Sequence, residues 1–171
     1  MRIPNILAAM ATLVSTIAMA ADLTVTVEIP RMNVAEYHRP YVAIWVERAD
    51  QSVALNLTHW YDLTLKNGEG TKWLKDMRQW WRRSGRDLDV PIDGISAATR
   101  PVGEHTLEFK GDAAPLSGLE AGDYQLVVEA AREVGGRELL KLPFVWPPTE
   151  VKHADVRGAT ELGRIAIDLI P

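Results

Sequence analysis

The chain contains no cysteine. That excludes a disulfide scaffold, a thiolate metal site, a thiol nucleophile and an iron–sulfur cluster. An excess of positive charge is also missing: 19 basic residues stand against 23 acidic ones, for a net charge of −4. A nucleic-acid binder would usually show a basic excess or stripe, so no nucleic-acid partner is expected. No internal repeat and no low-complexity segment occurs. There is no G-x-S-x-G nucleophile elbow, and no glycine-rich loop leads from a strand into a helix to cradle phosphate. Beyond residue 20 no apolar run reaches the roughly 20 residues that a membrane span needs.

What is present is an ordinary globular balance, 47% hydrophobic and 25% charged over 171 residues. Its first stretch does not belong to the fold. Arg2 gives a positive start, Ile6 to Ala20 is apolar except for Thr12, Ser15 and Thr16, and Ala18-Met19-Ala20 is an A-x-A cleavage site. Residues 1–20 therefore read as a cleaved signal peptide and residues 21–171 as one exported, periplasmic domain without stable membrane insertion. Removal of Arg2 takes the net charge from −4 to −5. Only Met32 and Met77 remain in the mature chain, too few for a methionine-rich copper carrier.

Alternation of apolar and polar residues dominates the mature chain. Leu23, Val25, Val27 and Ile29 alternate with Thr24, Thr26 and Glu28, as a half-buried strand does. Further strands are expected at 41–47, 53–60, 105–109, 124–130, 138–145 and 163–169. Glu47 and Asp50 are expected as exposed charges of a hairpin connection, and Gly135-Gly136 as a tight turn. About seven strands point to an all-β fold, an antiparallel immunoglobulin-like sandwich. One segment breaks the period. Trp73, Leu74, Met77, Trp80 and Trp81 recur at helical spacing, which predicts one inserted amphipathic helix over 71–83. Its apolar face is expected to cap an end or face of the sandwich. A basic amphipathic helix can also lie on a membrane surface, but three tryptophans serve equally well as core.

The segment Asp93-Gly94-Ile95-Ser96-Ala97-Ala98-Thr99-Arg100-Pro101 resembles the acceptor motif of proteins that carry covalent FMN. In that pattern an Asp stands six residues before the acceptor hydroxyl, and a Ser or Thr stands three before it. A small residue and an Ala then lead to the acceptor. Asp93, Ser96, Ala97, Ala98 and Thr99 fill these places, with Ala97 where Gly is usual. The resemblance implies that a flavin transferase recognises Asp93, Ser96, Ala97 and Ala98 and esterifies FMN to Thr99. Thr99 supplies the hydroxyl, and Arg100 is the expected partner of the phosphodiester charge. Pro91, Gly94 and Pro101 make the segment a reachable loop. Arg157-Gly158-Ala159-Thr160 acts as an internal control: it has Gly-Ala-Thr but lacks the Asp and the earlier hydroxyl, so Thr160 reads as a bystander.

Pro40 to Glu47, the Trp80-Trp81 pair, the loop from Ser96 to Pro101 and Val128 to Gly136 are similar to domain-of-unknown-function family 2271, a family of periplasmic proteins. Its association with PepSY-type membrane proteins and flavin transferases implies a flavin-bearing electron carrier that serves a transmembrane redox protein, and not a substrate-specific enzyme. Trp73, Trp80 and Trp81 would then be candidates to stack on the isoalloxazine ring, although their spacing favours the core. The other reading is an unmodified immunoglobulin-like binding or assembly module, in which the same loop contacts a partner. The remaining polar residues point elsewhere. His38, His59, His105 and His153 share no metal-ligand spacing. Glu129, Arg132 and Glu133 suggest a buried arginine–carboxylate pair bracing a hairpin.

Overall fold

A computed structural model describes residues 20–171. Of the expected export signal, all but Ala20 lies outside the described residues. In β1 (Asp22–Ile29) every second residue is buried, Leu23, Val25, Val27 and Ile29, as the alternation requires. Eight more strands follow: β2 (Tyr41–Arg48), β3 (Val53–Tyr61), β4 (Ser96–Ala98), β5 (Gly103–Phe109), β6 (Gly122–Ala131), β7 (Arg137–Trp146), β8 (Lys152–Arg157) and β9 (Arg164–Ile170). They form two sheets, a four-stranded one in the order β5-β1-β9-β8 and a five-stranded one in the order β4-β3-β2-β6-β7. The chain is an all-β sandwich.

Two departures from the sequence expectation concern strands. Among the described residues there are nine rather than about seven, because β4 and β8 are added. Strand β4 has three residues between proline- and glycine-bearing flanks, too short to show a period. Strand β8 offers only Ala154 and Val156 inward against the exposed Lys152, His153, Asp155 and Arg157. The sheets are also not wholly antiparallel, since β4 runs parallel to β3, pairing His59 with Ser96, Trp60 with Ala97 and Tyr61 with Ala98. A three-residue strand gains enough from such pairing only because it lies against a strand that is already fixed.

The inner faces of both sheets meet in the main core. Val25, Val27, Ile165 and Ile167 come from one sheet, and Val42, Ile44, Leu126 and Val128 from the other. The outer face of the five-stranded sheet carries a second cluster, in which Leu74, Met77 and Trp80 cover Ala43, Trp45, Tyr61 and Val127. Strand β2 is consequently buried on both faces from Val42 to Glu47, which explains its continuous apolar run. The expected covering element is there, but it is not one helix over 71–83. A 3-10 segment, Lys66–Asp76, and a short α-helix, α1 (Arg78–Arg83), are separated by Met77, whose ψ of 73° is not helical. The break lets both pieces follow the sheet surface. Gly70 is required there, because a Cβ would stand 1.9 Å from the carbonyl oxygen of Asp62.

Glu47 is not an exposed turn charge. It is fully buried beside Trp45, whose Nε1–H it accepts at 3.0 Å, and it accepts Lys141 Nζ at 2.6 Å. A carboxylate buried at this position needs its charge compensated, and these two donors hold it. Arg132 does not pair with Glu129 or Glu133 as expected; each buried member of that set finds a partner outside it. Glu129 pairs with Arg137, and Arg132 pairs with Glu161 through Nε at 2.8 Å.

Candidate functional site

The segment from Asp93 to Pro101 begins as a turn and becomes β4. The amides of Ile95 and Ser96 both donate to the carbonyl of Ile92, at 3.2 and 2.8 Å. Gly94 has φ +74° with open space around it, so the turn needs a residue that tolerates the left-handed region. Asp93 is exposed at the tip of this turn. The strand then divides its side chains between two surfaces. Ala97 packs against the main core. A methyl group is therefore accommodated where the acceptor pattern usually has glycine. Ser96 faces the other side, with Oγ 2.6 Å from His59 Nε2.

Thr99 follows directly. It is half-buried, and with Ala98 it lines a cleft of about 480 Å³. Tyr37, Tyr41 and Trp73 supply aromatic wall, and His38, Arg39 and Arg132 supply basic groups. Acidic groups are present as well, including Asp62 and Glu133. Asp62 is held below the usual carboxylate range first by the hydroxyl of Thr64 and then by its amide. Burial raises the Tyr41 phenol above its ordinary value. Arg132 is almost entirely buried, and its Nη1 has no hydrogen-bond partner.

The three tryptophans separate clearly. Trp80 is fully buried, with its indole N–H on Asn56 Oδ1 at 2.8 Å. Trp81 packs partly buried against the outer cluster. Trp73 is 45% exposed and faces the cleft that Thr99 lines. Arg100 does not line that cleft. Its guanidinium lies 5.5 Å from the centroid of the Trp60 ring, because successive residues leaving β4 point to opposite sides. The histidines do not converge. His105 Nε2 donates to the Pro101 carbonyl at 2.8 Å, His153 bonds Asp168 on the surface, and His38 pairs with Glu36. No group of three acidic or histidine side chains that could hold a metal occurs among the described residues.

Thr160 sits in a different environment. The backbone amides of Ala159, Thr160, Glu161 and Leu162 all donate to the carboxylate of Glu138, at 2.6 to 3.0 Å. This turn is wrapped around the half-buried carboxylate of Glu138.

Residues 22–164 match the family model described as "Predicted periplasmic protein (DUF2271)". The chain belongs to the DUF2271 family. Among curated proteins and among solved structures nothing gives a significant match. Within the described residues no DUF2271 helix is long and apolar enough to cross a membrane.

The sequence singled out Thr99 without its surroundings. Tyr37, Tyr41 and Arg39, which wall the cleft, carry no motif. They come from the segment between β1 and β2 and from the start of β2, more than fifty residues upstream. His59 was visible only as a strand histidine, since nothing in its neighbourhood names Ser96 as its partner.

Proposed function

We propose that this protein is a periplasmic electron carrier with FMN attached through a phosphodiester to Thr99. The observation that carries this reading is the position of Thr99 at a cleft of about 480 Å³ with both aromatic and basic walls. A planar, apolar ring system joined to an anionic phosphate needs both kinds of wall. The residues present fit that demand: Trp73 offers an exposed aromatic surface, and Arg39 offers positive charge in the same cleft. Arg132 adds a buried N–H without a partner. Arg39 is better placed than Arg100 to face the phosphodiester, because Arg100 is turned onto Trp60.

Attachment requires a flavin transferase with FAD as donor. The Thr99 Oγ1–phosphorus bond forms, the pyrophosphate bond of FAD breaks, AMP leaves, and the hydroxyl proton passes to a base of the transferase. When bound, the flavin accepts and releases electrons, and this chain supplies the tether, the ring surface and the docking face. The tether keeps the cofactor at high local concentration outside the cytoplasm, where a dissociable one would be lost. A PepSY-type transmembrane redox protein is the proposed electron partner.

Coexpression with an active transferase and supplied FAD, followed by intact-mass measurement, tests the proposal. The expected shift is one FMN less one water, absent in Thr99→Ala and retained in Thr160→Ala. An unshifted mass overturns it in favour of an unmodified binding module.

A further inference from the structure

The Ser96 hydroxyl is already occupied inside the protein. Its Oγ accepts the backbone N–H of Ile92 at 2.8 Å and lies 2.6 Å from Nε2 of His59. His59 is fully buried, stacked on Tyr61 at 5.7 Å and tilted against Trp80 at 5.1 Å. Its imidazole is neutral in this setting, since burial pushes it down to about 4. A neutral ring can accept the Ser96 hydroxyl hydrogen at Nε2 while Ser96 Oγ keeps the Ile92 amide.

The same stretch of β3 holds the strand by its backbone. His59 N–H donates to the carbonyl of Ile95 at 3.1 Å, and the Thr58 hydroxyl donates to that same oxygen at 2.7 Å. Three residues of parallel pairing are a weak attachment on their own. The side-chain contact lies at the first paired position, His59 with Ser96, three residues before Thr99.

We infer that Ser96 and His59 form a buried latch that fixes β4 on the edge of β3 and thereby positions Thr99 at the cleft. Ser96 is then a positioning residue whose hydroxyl is used within the protein, and not a group read by the transferase. The inference rests on Thr99 being the flavin acceptor, but the latch itself can be measured without flavin. A serine serves because its single short hydroxyl reaches both the Ile92 amide and the imidazole. Alanine would leave both without a partner, while threonine would keep the hydroxyl.

The test compares wild type, Ser96→Ala and Ser96→Thr as whole exported proteins. Amide hydrogen exchange over residues 95–98 is measured without flavin, and transferase kinetics are measured with FAD. Loss of one such hydrogen bond corresponds to about a tenfold change in opening. In Ser96→Ala, exchange over 95–98 is expected to rise about tenfold and kcat/KM for the acceptor protein to fall by a similar factor. KM for FAD is expected to stay unchanged, and Ser96→Thr is expected to restore both readouts. Unchanged exchange in Ser96→Ala overturns the latch. If flavinylation is lost while exchange is unchanged, the transferase reads Ser96 directly and the inference is wrong. Faster exchange with unchanged flavinylation overturns the positioning role. A wild-type protein left unmodified by an active transferase overturns the flavin reading, while the exchange comparison still reports the latch.

Discussion

The buried carboxylate of Glu129 accepts the backbone N–H of Trp80 at 2.7 Å. Its other oxygen accepts the amide of Gln79 at 3.0 Å and pairs with Arg137. A side chain from the middle of β6 thus satisfies the first free amides of α1, which a six-residue helix has no local residue to cap. Glu129→Ala would leave two amides and a guanidinium without their acceptor. A loss of about 3 kcal/mol is expected, with Tm lowered by roughly 6–12 °C. Glu129→Gln keeps one acceptor oxygen and should lose less. Thermal unfolding of the two variants measures the difference, and equal losses would contradict the capping role.

Trp73 is the tryptophan left facing the cleft, while Trp80 is wholly interior. Trp73→Ala in flavin-loaded protein should leave the mass unchanged and raise flavin fluorescence, because stacking on an indole quenches the ring. Little stability should be lost, since the side chain is already half in water. Trp80→Ala should behave in the opposite way, costing about 3–5 kcal/mol through a core cavity. Fluorescence of the loaded variants, read beside their melting curves, separates the two roles.

His59 makes stability depend on pH in a defined direction. Its imidazole titrates at about 4 in the folded protein, against an ordinary value of 6.5. Between these values the unfolded chain binds a proton that the folded one does not, so stability falls as pH drops from about 6.5 to about 4. The contribution is on the order of 3 kcal/mol over that window. His59→Gln should be less stable at neutral pH, through lost stacking, but should show a flatter profile between pH 6.5 and 4. Denaturant unfolding across that range tests it, and an unchanged slope would show that other groups govern the acid limb.

Glu138 acts in the same direction through a different cause. Burial alone would raise its carboxyl, but the amides of Ala159, Leu162 and Thr160 outweigh that and hold it below the usual range. A carboxylate held down in this way stabilises the fold above its unfolded value, and the gain is lost as pH falls through the folded one. Glu138→Gln should loosen the 158–163 turn and raise amide exchange there without altering modification at Thr99. Reduced flavinylation in this variant would show that the two sites are coupled.

Strand alternation made most of the sandwich legible in the sequence, because burial on one face imposes a period of two that no other structure shares. It also marked 71–83 as the break in that period, while the acceptor-like pattern set Thr99 apart from Thr160. Glu47 was misread because one of the two donors that hold it, Lys141, lies on β7, more than ninety residues away. The single helix was misread because Met77, spaced as helix core, is the point where the chain bends to follow the sheet. Strand β4 was hidden because three residues cannot display a period.

The sequence by itself determined an all-β chain without thiols and with one hydroxyl in an acceptor-like setting. These are properties of composition and of local order along the chain. Only the tertiary structure decided that Thr99 faces Trp73 and Arg39, that Arg100 turns to Trp60 instead, and that Ser96 is held by His59. Those relations join residues roughly 25 to 60 positions apart, and they are set by how the two sheets and the covering segment pack.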